Sequence, residues 1–447
     1  MVSELLQQVR MIDPVTQTDR IADLLITDGV IRAIADTISD YPAETIQHDC
    51  RGQIAAPGLV DLYSQSGEPG FEERETLASL LQAATVGGFT RLAILPSTQP
   101  AIDNPAMVAW IKDRYQTLQR SPDLSAPSSS PAPSPYLPSL HCWAALTQEA
   151  QGQQMTELAE LATTGIVGFA DGRALNHLLL IRRLLEYGQP LQKPIALWAC
   201  DPNLAGSGVM REGYESILFG LPGIPAFAET APLAALLECI AAIKTPVHLM
   251  RVSTARSVQL IQAAKAQGIP VTASTTWMHL LLNSQTVGNY DPNLRLAPPL
   301  GNPADQEALL HGVQTGIIDA IAIDHTPYSY EEKTVAFAEA PTGAIGLELA
   351  LPLLWQALVA SGKWSALELW QALSSRPAQC LQQPPPTIAL NQPAELILFD
   401  PHQSWKVEAS SLQSRSMNTP WLGQTIQGRV VNRWIGKSEG DSSSSIR

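Results

Sequence analysis

Three side chains with oxygen-bearing groups alternate along a short apolar segment near residue 60. In the stretch APGLVDLYSQSGEPG, residues 56–70, the residues Asp61, Tyr63 and Gln65 stand two apart. Residues two apart share one face of a strand, so a carboxylate, a phenol and an amide would point the same way. Such groups can bind a cation or hydrogen-bond a substrate. We expect this face at the carboxyl end of a buried parallel strand, where barrel enzymes place their chemistry.

The order of elements predicts how such residues are positioned. From residue 56 onward, apolar strand-like runs alternate with helical stretches such as 75–88 and 173–188. That alternation is typical of βα units in an α/β protein. The chain ends differ, because residues 22–36 read as a hairpin around an Asp-Gly turn and residues 394–401 and 426–437 read as strands. We expect these end segments to pack together, since neither can close a core alone.

Composition excludes several classes of protein. The 447 residues suffice for one large domain and a smaller one, and 45% hydrophobic residues is ordinary for such a fold. A formal net charge of -14 argues against nucleic acid or an anionic membrane as partner. No apolar stretch is long enough to span a bilayer, and no basic start precedes an apolar run. With five scattered cysteines, we expect free thiols in a cytoplasmic protein.

Two segments read as disordered. Residues 121–139, SPDLSAPSSSPAPSPYLPS, are rich in Ser and Pro and have neither helical nor strand periodicity. We interpret them as a neutral surface insertion and favour this over a phosphorylation or docking segment. Residues 438–447 end in a run of serines, and we expect a disordered tail there.

The segment around Asp61 resembles the first barrel strand of the dihydroorotases and related cyclic amidohydrolases, whose pattern reads PGxxDxHxHxREPG. Further matches follow in the same order along the chain, and the resemblance extends from Asp23 to Arg433. It implies a (β/α)8 TIM-type barrel of the amidohydrolase superfamily over residues 56–384. It also implies a small β-sandwich formed by both chain ends, residues 1–55 and 385–437. The matching positions are Pro57, Gly58, Asp61, Glu68, Pro69, Gly70, Asp201, Pro202, Leu204 to Met210, His248, Val252 to Ala255, Asp324, His325 and Pro327.

The family's metal ligands are replaced in this chain. The resemblance places four ligand histidines at Tyr63, Gln65, Trp198 and Arg251. In the family, zinc lowers the pKa of water from about 15.7 to about 7 and so supplies hydroxide. Tryptophan has no ligand atom and a guanidinium repels a cation, while tyrosine and glutamine are poor zinc ligands. We therefore predict no metal and no cofactor.

The substrate-binding positions are changed as well. An arginine and two asparagines of the family correspond to Gly67, Ser97 and Ala297. The catalytic aspartate of the family is kept as Asp324, which we interpret as structural. A buried carboxylate without a counter-charge costs several kcal/mol. We therefore predict a salt bridge from Arg251 to Asp324 in the barrel, with Trp198 filling former ligand volume.

Other ionisable residues allow a second interpretation. His248, His279 and His325 would form a relocated ligand set, or they are hydrogen-bonded core or rim histidines. We favour the second, because each matches a family position outside the metal shell. Asp61 is interpreted as a strand-end hydrogen-bond acceptor. Asp171 remains as the only candidate in a segment where some members of the family place a metal-contacting aspartate.

The resemblance leads to two functional hypotheses. The first is a dihydroorotase-like protein of pyrimidine biosynthesis that no longer catalyses and acts as a structural or regulatory subunit. Inactive homologues in some bacteria assemble with aspartate carbamoyltransferase, which is therefore the expected partner, and we expect a homo-oligomer. The alternative is an active dihydroorotase or related cyclic amidohydrolase that interconverts carbamoyl-aspartate and dihydroorotate. The metal content of the purified protein separates the two.

Overall fold

The structure is a computed structural model that describes residues 2–120 and 137–436. Within these ranges the strands, in chain order, are β1 Ser3–Asp13, β2 Thr18–Thr27, β3 Val30–Ala35, β4 Ile46–Asp49, β5 Ile54–Pro57, β6 Leu59–Ser64, β7 Phe89–Ile94, β8 Ser139–Ala144, β9 Gly168–Phe169, β10 Ile195–Trp198, β11 Met210–Arg211, β12 Gly223–Ile224, β13 Val247–Met250, β14 Val271–Thr276, β15 Ala320–Ala322, β16 Glu395–Lys406 and β17 Thr425–Ile435. The α-helices of the same ranges are α1 Leu77–Val86, α2 Pro105–Gln119, α3 Leu158–Ala162, α4 Leu178–Gly188, α5 Pro202–Ala205, α6 Tyr214–Leu218, α7 Phe227–Ile243, α8 Ala255–Ala266, α9 Trp277–Leu281, α10 Pro303–Gln314, α11 Tyr330–Lys333, α12 Ala350–Leu354, α13 Ala366–Trp370 and α14 Arg376–Cys380. Two π-helical turns, Trp355–Ala360 and Gln371–Ser375, extend α12 and join α13 to α14.

Eight parallel strands form the central sheet, in the order β15-β14-β13-β10-β9-β8-β7-β6. Its two edges, β6 and β15, meet through the backbone that follows β15. Asp324 N donates to Tyr63 O over 3.1 Å, and Gln65 N donates to His325 O over 2.8 Å. The sheet therefore curves until its edges are hydrogen-bonded, as a barrel requires. This confirms the predicted (β/α)8 TIM-type barrel.

The barrel strands are apolar on both faces because one face packs inside the barrel and the other packs against helices. All six residues of β6 are buried. Val60 and Leu62 join the cluster inside the barrel, together with Trp143, and Leu59 joins the larger cluster shared with the helices. The indole of Trp143 also donates to Leu62 O over 2.8 Å. The core thus fixes the strand ends that carry the polar residues.

Both chain ends form one β-domain, as predicted. Its seven strands are hydrogen-bonded in a single sheet of order β17-β16-β5-β1-β2-β3, with β4 pairing with β1. Two strands separate β17 from β1, yet Trp434 Nε1 donates to Glu4 Oε1 over 3.0 Å. The sheet therefore curls on itself around a small core. Alternate residues of β16 face this core and the barrel, with Leu396 and Leu398 on the inside and Phe399 toward the barrel helices.

Three boundaries differ from the predicted ones. Strand β5 belongs to the curled sheet, so the barrel begins after Pro57. Residues 407–424, between β16 and β17, return to the barrel, where Trp421 stacks on Trp277 with ring centroids 5.0 Å apart. The predicted insertion and tail lie outside the described residues, except that Leu137 is buried and Ser139 already begins β8. No helix in residues 2–120 or 137–436 has the length and apolar character needed to cross a membrane.

Candidate ligand site at the barrel mouth

The carboxyl ends of the barrel strands surround a cavity of about 340 Å³, which we call the barrel mouth. Strand β10 ends there with Trp198, Arg251 follows β13, and Asp324 lies just after β15. Parallel strands bring their carboxyl ends to one edge, so residues far apart in sequence meet. Six of the eight positions aligned with the family's ligand, substrate and catalytic residues line this cavity, and His279 lines it as well; the six are Gln65, Ser97, Trp198, Arg251, Ala297 and Asp324.

The other two predicted positions, Tyr63 and Gly67, do not line the cavity. Tyr63 is fully buried beneath it. Gly67 lies in a tight turn where an added Cβ would be 2.2 Å from Glu75 O and 2.4 Å from Phe71 O. No side chain fits there unless the backbone moves, so the loop cannot present an arginine to a substrate from position 67.

Arg251 and Asp324 form a two-pronged salt bridge at the centre of the mouth. Arg251 Nε donates to Asp324 Oδ2 over 2.8 Å, and Nη2 donates to Oδ1 over 2.6 Å. The Nη1 atom donates to Gly172 O over 2.7 Å. The two side chains are only 5% and 13% exposed, so solvent screens the pair weakly. The predicted salt bridge is thereby confirmed.

Aromatic rings surround the guanidinium. Its carbon lies 5.1 Å from the ring centre of Trp198 and 5.8 Å from that of Tyr63, within the range of cation–π attraction. Burial alone would lower the pKa of Arg251, but the charge of Asp324 and the hydrogen bonds to it raise that pKa instead. Both Arg251 and Asp324 have left-handed backbones, with φ of 55° and 52°. Such conformations persist only where the surroundings hold them, as they do at functional sites.

The buried histidines are hydrogen-bonded to separate partners. His248 Nε2 lies 2.8 Å from Ser274 Oγ, which is also 2.9 Å from the Tyr63 hydroxyl. His279 Nδ1 lies 2.7 Å from Thr276 Oγ1. Burial lowers the pKa of His248 to about 3 and that of His279 to about 4, so both rings are neutral at pH 7.

His325 is engaged away from the mouth. Its Nε2 is 3.3 Å from Glu75 Oε2, and its Nδ1 accepts from Gly346 N over 3.2 Å. In the part of the chain that the structure describes, no three His, Cys, Asp or Glu side chains are grouped so that they could hold a metal ion. The three histidines are thus hydrogen-bonded core or rim residues, as expected, with His279 at the rim of the mouth.

The other two candidate aspartates, Asp61 and Asp171, accept hydrogen bonds from backbone amides and do not line the cavity. Asp61 Oδ1 accepts from Ile323 N over 3.0 Å, as expected of a strand-end acceptor. Asp171 accepts from Leu146 N over 2.8 Å and from both the amide and the hydroxyl of Thr147 over 3.0 and 2.6 Å. The expected common face of Asp61, Tyr63 and Gln65 is therefore wrong. The register of β6 against β7 shifts between Asp61 and Ser64, which breaks the alternation.

The Asp61→Asn variant should show a flatter dependence of stability on pH. Burial raises the pKa of Asp61 from its ordinary value of 3.8 to about 7. The folded protein then keeps a proton that the unfolded chain has released. This contribution to stability is complete at low pH and is lost as the pH rises through about 7, at up to about 1.4 kcal/mol per pH unit.

Urea unfolding at about pH 5 and about pH 7 measures this effect. Asparagine can still accept from Ile323 N and can donate to Ser64 Oγ, so the fold should tolerate the change. The unmodified protein should lose more free energy of unfolding between the two pH values than the variant does. An equal loss in both proteins would contradict the assignment of a buried, protonated Asp61.

The residues of the mouth do not fit a zinc pair. Two zinc ions require several imidazole ligands and a bridging carboxylate. Here each oxygen of Asp324 accepts an N–H from Arg251, whose charge repels a cation. The indole of Trp198 is only a donor, and its Nε1 is buried without a hydrogen-bond partner. The guanidinium therefore balances the charge of Asp324 where the family's metals would do so.

Sequence reasoning missed most of the other residues that line the mouth, among them Arg74 and Trp277. Arg74 donates to Glu332 over 2.6 Å, and its guanidinium lies 4.4 Å from the ring centre of Phe71 and 5.0 Å from that of Tyr328. The partner Glu332 is 258 residues away in sequence, so no local pattern could indicate the pair. Trp277 directly follows β14, and its place at a strand end was the available signal.

Known proteins resemble this chain over nearly all of its length. The profile of a family described as Dihydro-orotase-like matches residues 52–130. A "Probable dihydroorotase-like protein" of Synechocystis sp. is 43% identical over 95% of this chain and 98% of that protein. A "Dihydroorotase" of Syntrophus aciditrophicus is 35% identical over 96% of each. Among solved structures, the L-hydantoinase from Arthrobacter aurescens superposes with a TM-score of 0.80 at 20% identity, covering 98% of this chain and 97% of that one.

Proposed function

Because this chain belongs to the dihydroorotase family, we propose that it is a dihydroorotase-like protein of pyrimidine biosynthesis that no longer catalyses and instead acts as a structural or regulatory subunit. One observation carries the proposal: the Arg251 guanidinium pairs with both oxygens of Asp324 in the barrel mouth. The guanidinium of Arg251 is always protonated. It is thus paired with Asp324, the carboxylate that in the family binds a metal and transfers a proton.

The pair removes what hydrolysis of a cyclic amide requires. That reaction needs a nucleophilic hydroxide at neutral pH and a carboxylate free to accept its proton. Arg251 cannot act as a base, and both oxygens of Asp324 already accept hydrogen bonds from its guanidinium. The turn at Gly67 also excludes a side chain that could hold a substrate carboxylate. Nucleophile, base and substrate clamp are therefore lost together.

The rival function is an active cyclic amidohydrolase. Relatives 34–36% identical to this chain over more than nine-tenths of it carry the name "Dihydroorotase", and Asp324 is kept. The Synechocystis relative described as dihydroorotase-like has a higher identity to this chain, 43%, than these relatives have. We favour the non-catalytic function because Asp324 is already neutralised by a side chain of the protein itself.

We further propose aspartate carbamoyltransferase as the partner, together with self-association into a homo-oligomer. The partner is suggested by the behaviour of inactive homologues in the family. An exposed apolar surface on α6 supports an assembly role in general, since large apolar side chains in water mark contact sites. On this helix Tyr214, Ile217 and Leu218 are 73%, 83% and 60% exposed. We call these three residues the α6 surface.

Co-expression with the same organism's aspartate carbamoyltransferase should give a complex larger than either protein, measured by size-exclusion chromatography with light scattering at micromolar concentration. The Ile217→Glu variant should weaken the complex, because it places a charge in the α6 surface. Leu178→Glu is the matched control, since Leu178 is 48% exposed on α4. The protein alone should elute as a multiple of 48.2 kDa. Separate elution of the two proteins would contradict the partnership.

A further inference from the structure

A second cavity, of about 470 Å³, lies beside the barrel mouth, and we call it the arginine cavity. The two cavities share Arg173, Trp198 and Leu296. The arginine cavity extends from there between α5, the short strands β11 and β12, and the start of α7. Its volume falls within the roughly 300–1,000 Å³ typical of sites for small molecules. It is therefore large enough for a metabolite-sized ligand.

Three arginines line the arginine cavity, namely Arg173, Arg211 and Arg295. None of them lies within salt-bridge distance of a carboxylate in residues 2–120 and 137–436. This is unusual in a chain of net charge -14, where acidic groups outnumber basic ones. Positive charge is thus concentrated here, and in the described residues no carboxylate is in direct contact with it.

Arg211 is the most buried of the three, at 3% exposure. Within the described residues its side chain makes one hydrogen bond, from Nη2 to Ser253 Oγ over 2.7 Å, and its Nε is buried without a partner there. In the same part of the chain the Nε of Arg295 also lacks a partner, and its Nη1 donates to the carbonyls of Phe337 and Ala338. Burial lowers the pKa of Arg295. A bound anion would accept hydrogen bonds from these buried, incompletely paired guanidinium groups and would be stabilised by their charge.

The one carboxylate that lines the arginine cavity is already occupied. Glu229 accepts from the amide and hydroxyl of Ser253, from Thr254 Oγ1 and from Ser257 Oγ. Three of these donors converge on Oε1 and one reaches Oε2. Glu229 is therefore engaged by Ser253, Thr254 and Ser257, and within the described residues it forms no salt bridge with the three arginines of the cavity.

Apolar side chains form the rest of the wall, among them Trp198, Val209, Ile224 and Leu296. We propose that the arginine cavity binds a small organic anion, a phosphate or carboxylate that bears an aromatic or heterocyclic ring. Arg211 and Arg295 hold the anionic group, Arg173 closes the rim, and the ring lies against the apolar wall. This site requires no catalysis and is independent of the activity of the barrel mouth.

Isothermal titration of the full-length protein with phenyl phosphate, benzoate and inorganic phosphate tests the proposal. Phenyl phosphate or benzoate should bind once per chain, and inorganic phosphate should bind more weakly because it lacks the ring. The two organic probes distinguish a phosphate site from a carboxylate site. The Arg295→Gln variant should weaken binding about tenfold or more, the effect of losing a charge-assisted hydrogen bond. Arg173→Gln should act in the same direction and, at an exposed rim position, should not impair folding.

Two matched controls remove an arginine elsewhere. The controls are Arg256→Gln and Arg74→Gln. Arg256 lies on α8, away from both cavities, and Arg74 lines the barrel mouth but not the arginine cavity. Both should bind the probes as the unmodified protein does. The proposal is overturned if neither organic anion binds at millimolar concentration, or if inorganic phosphate binds as tightly as phenyl phosphate. It is also overturned if Arg74→Gln or Arg256→Gln weakens binding as much as Arg295→Gln and Arg173→Gln do.

Discussion

Replacing Arg251 with alanine should lower the free energy of unfolding by about 3–5 kcal/mol, the usual effect of deleting one partner of a buried ion pair. The change leaves Asp324, which is 13% exposed, without its counter-charge. It also removes the hydrogen bond to Gly172 O and the contacts with the rings of Tyr63 and Trp198. Urea unfolding measures the loss.

Companion variants show whether the unpaired charge is the cause. Arg251→Ala combined with Asp324→Ala should recover part of the lost stability, because no buried carboxylate then remains unpaired. The free energy of unfolding of Arg251→Lys should lie between those of the unmodified protein and Arg251→Ala, since lysine keeps the charge but not the two parallel hydrogen bonds. Arg182→Ala breaks an exposed pair with Glu186 and should cost less than about 1 kcal/mol. If Arg251→Ala destabilised no more than Arg182→Ala, the salt bridge would not be what stabilises the mouth.

The barrel and most of the mouth could be predicted because they depend on order along the chain. The alternation of strands and helices indicated βα units, and the resemblance to the dihydroorotases placed Trp198, Arg251 and Asp324 at the carboxyl ends of barrel strands, which parallel strands bring together. The charge argument then paired Arg251 with Asp324, because a buried carboxylate needs a counter-charge. Neither step required knowledge of the side-chain packing.

What could not be predicted depends on long-range packing. The return of residues 407–424 to the barrel rests on the stacking of Trp421 on Trp277 and on the bond from Asn418 Nδ2 to Thr326 O. Neither contact leaves a periodic pattern in the sequence. The expected common face of Asp61 and Tyr63 was wrong because one register shift in β6 is invisible in composition. The arginine cavity joins Arg173, Arg211 and Arg295, which no motif connects.

Zinc should bind to this protein no more tightly than to a chain without a metal site. A metal ion in the barrel mouth would have to displace the Arg251 guanidinium from Asp324 and would then find Trp198 where an imidazole is needed. Without a metal to lower the pKa of water, hydroxide is scarce at neutral pH. Conversion between carbamoyl-aspartate and dihydroorotate should therefore stay at the uncatalysed rate, with or without added zinc.

The most direct test is the zinc content of the protein after expression in zinc-supplemented medium, measured by elemental analysis on the same sample as the turnover assay. The relative of Syntrophus aciditrophicus named "Dihydroorotase", purified and assayed in the same way, shows whether the conditions support activity. We predict no stoichiometric zinc and no turnover above the uncatalysed rate for this chain. Stoichiometric zinc, together with turnover that Asp324→Ala abolishes, would contradict the loss of the catalytic site.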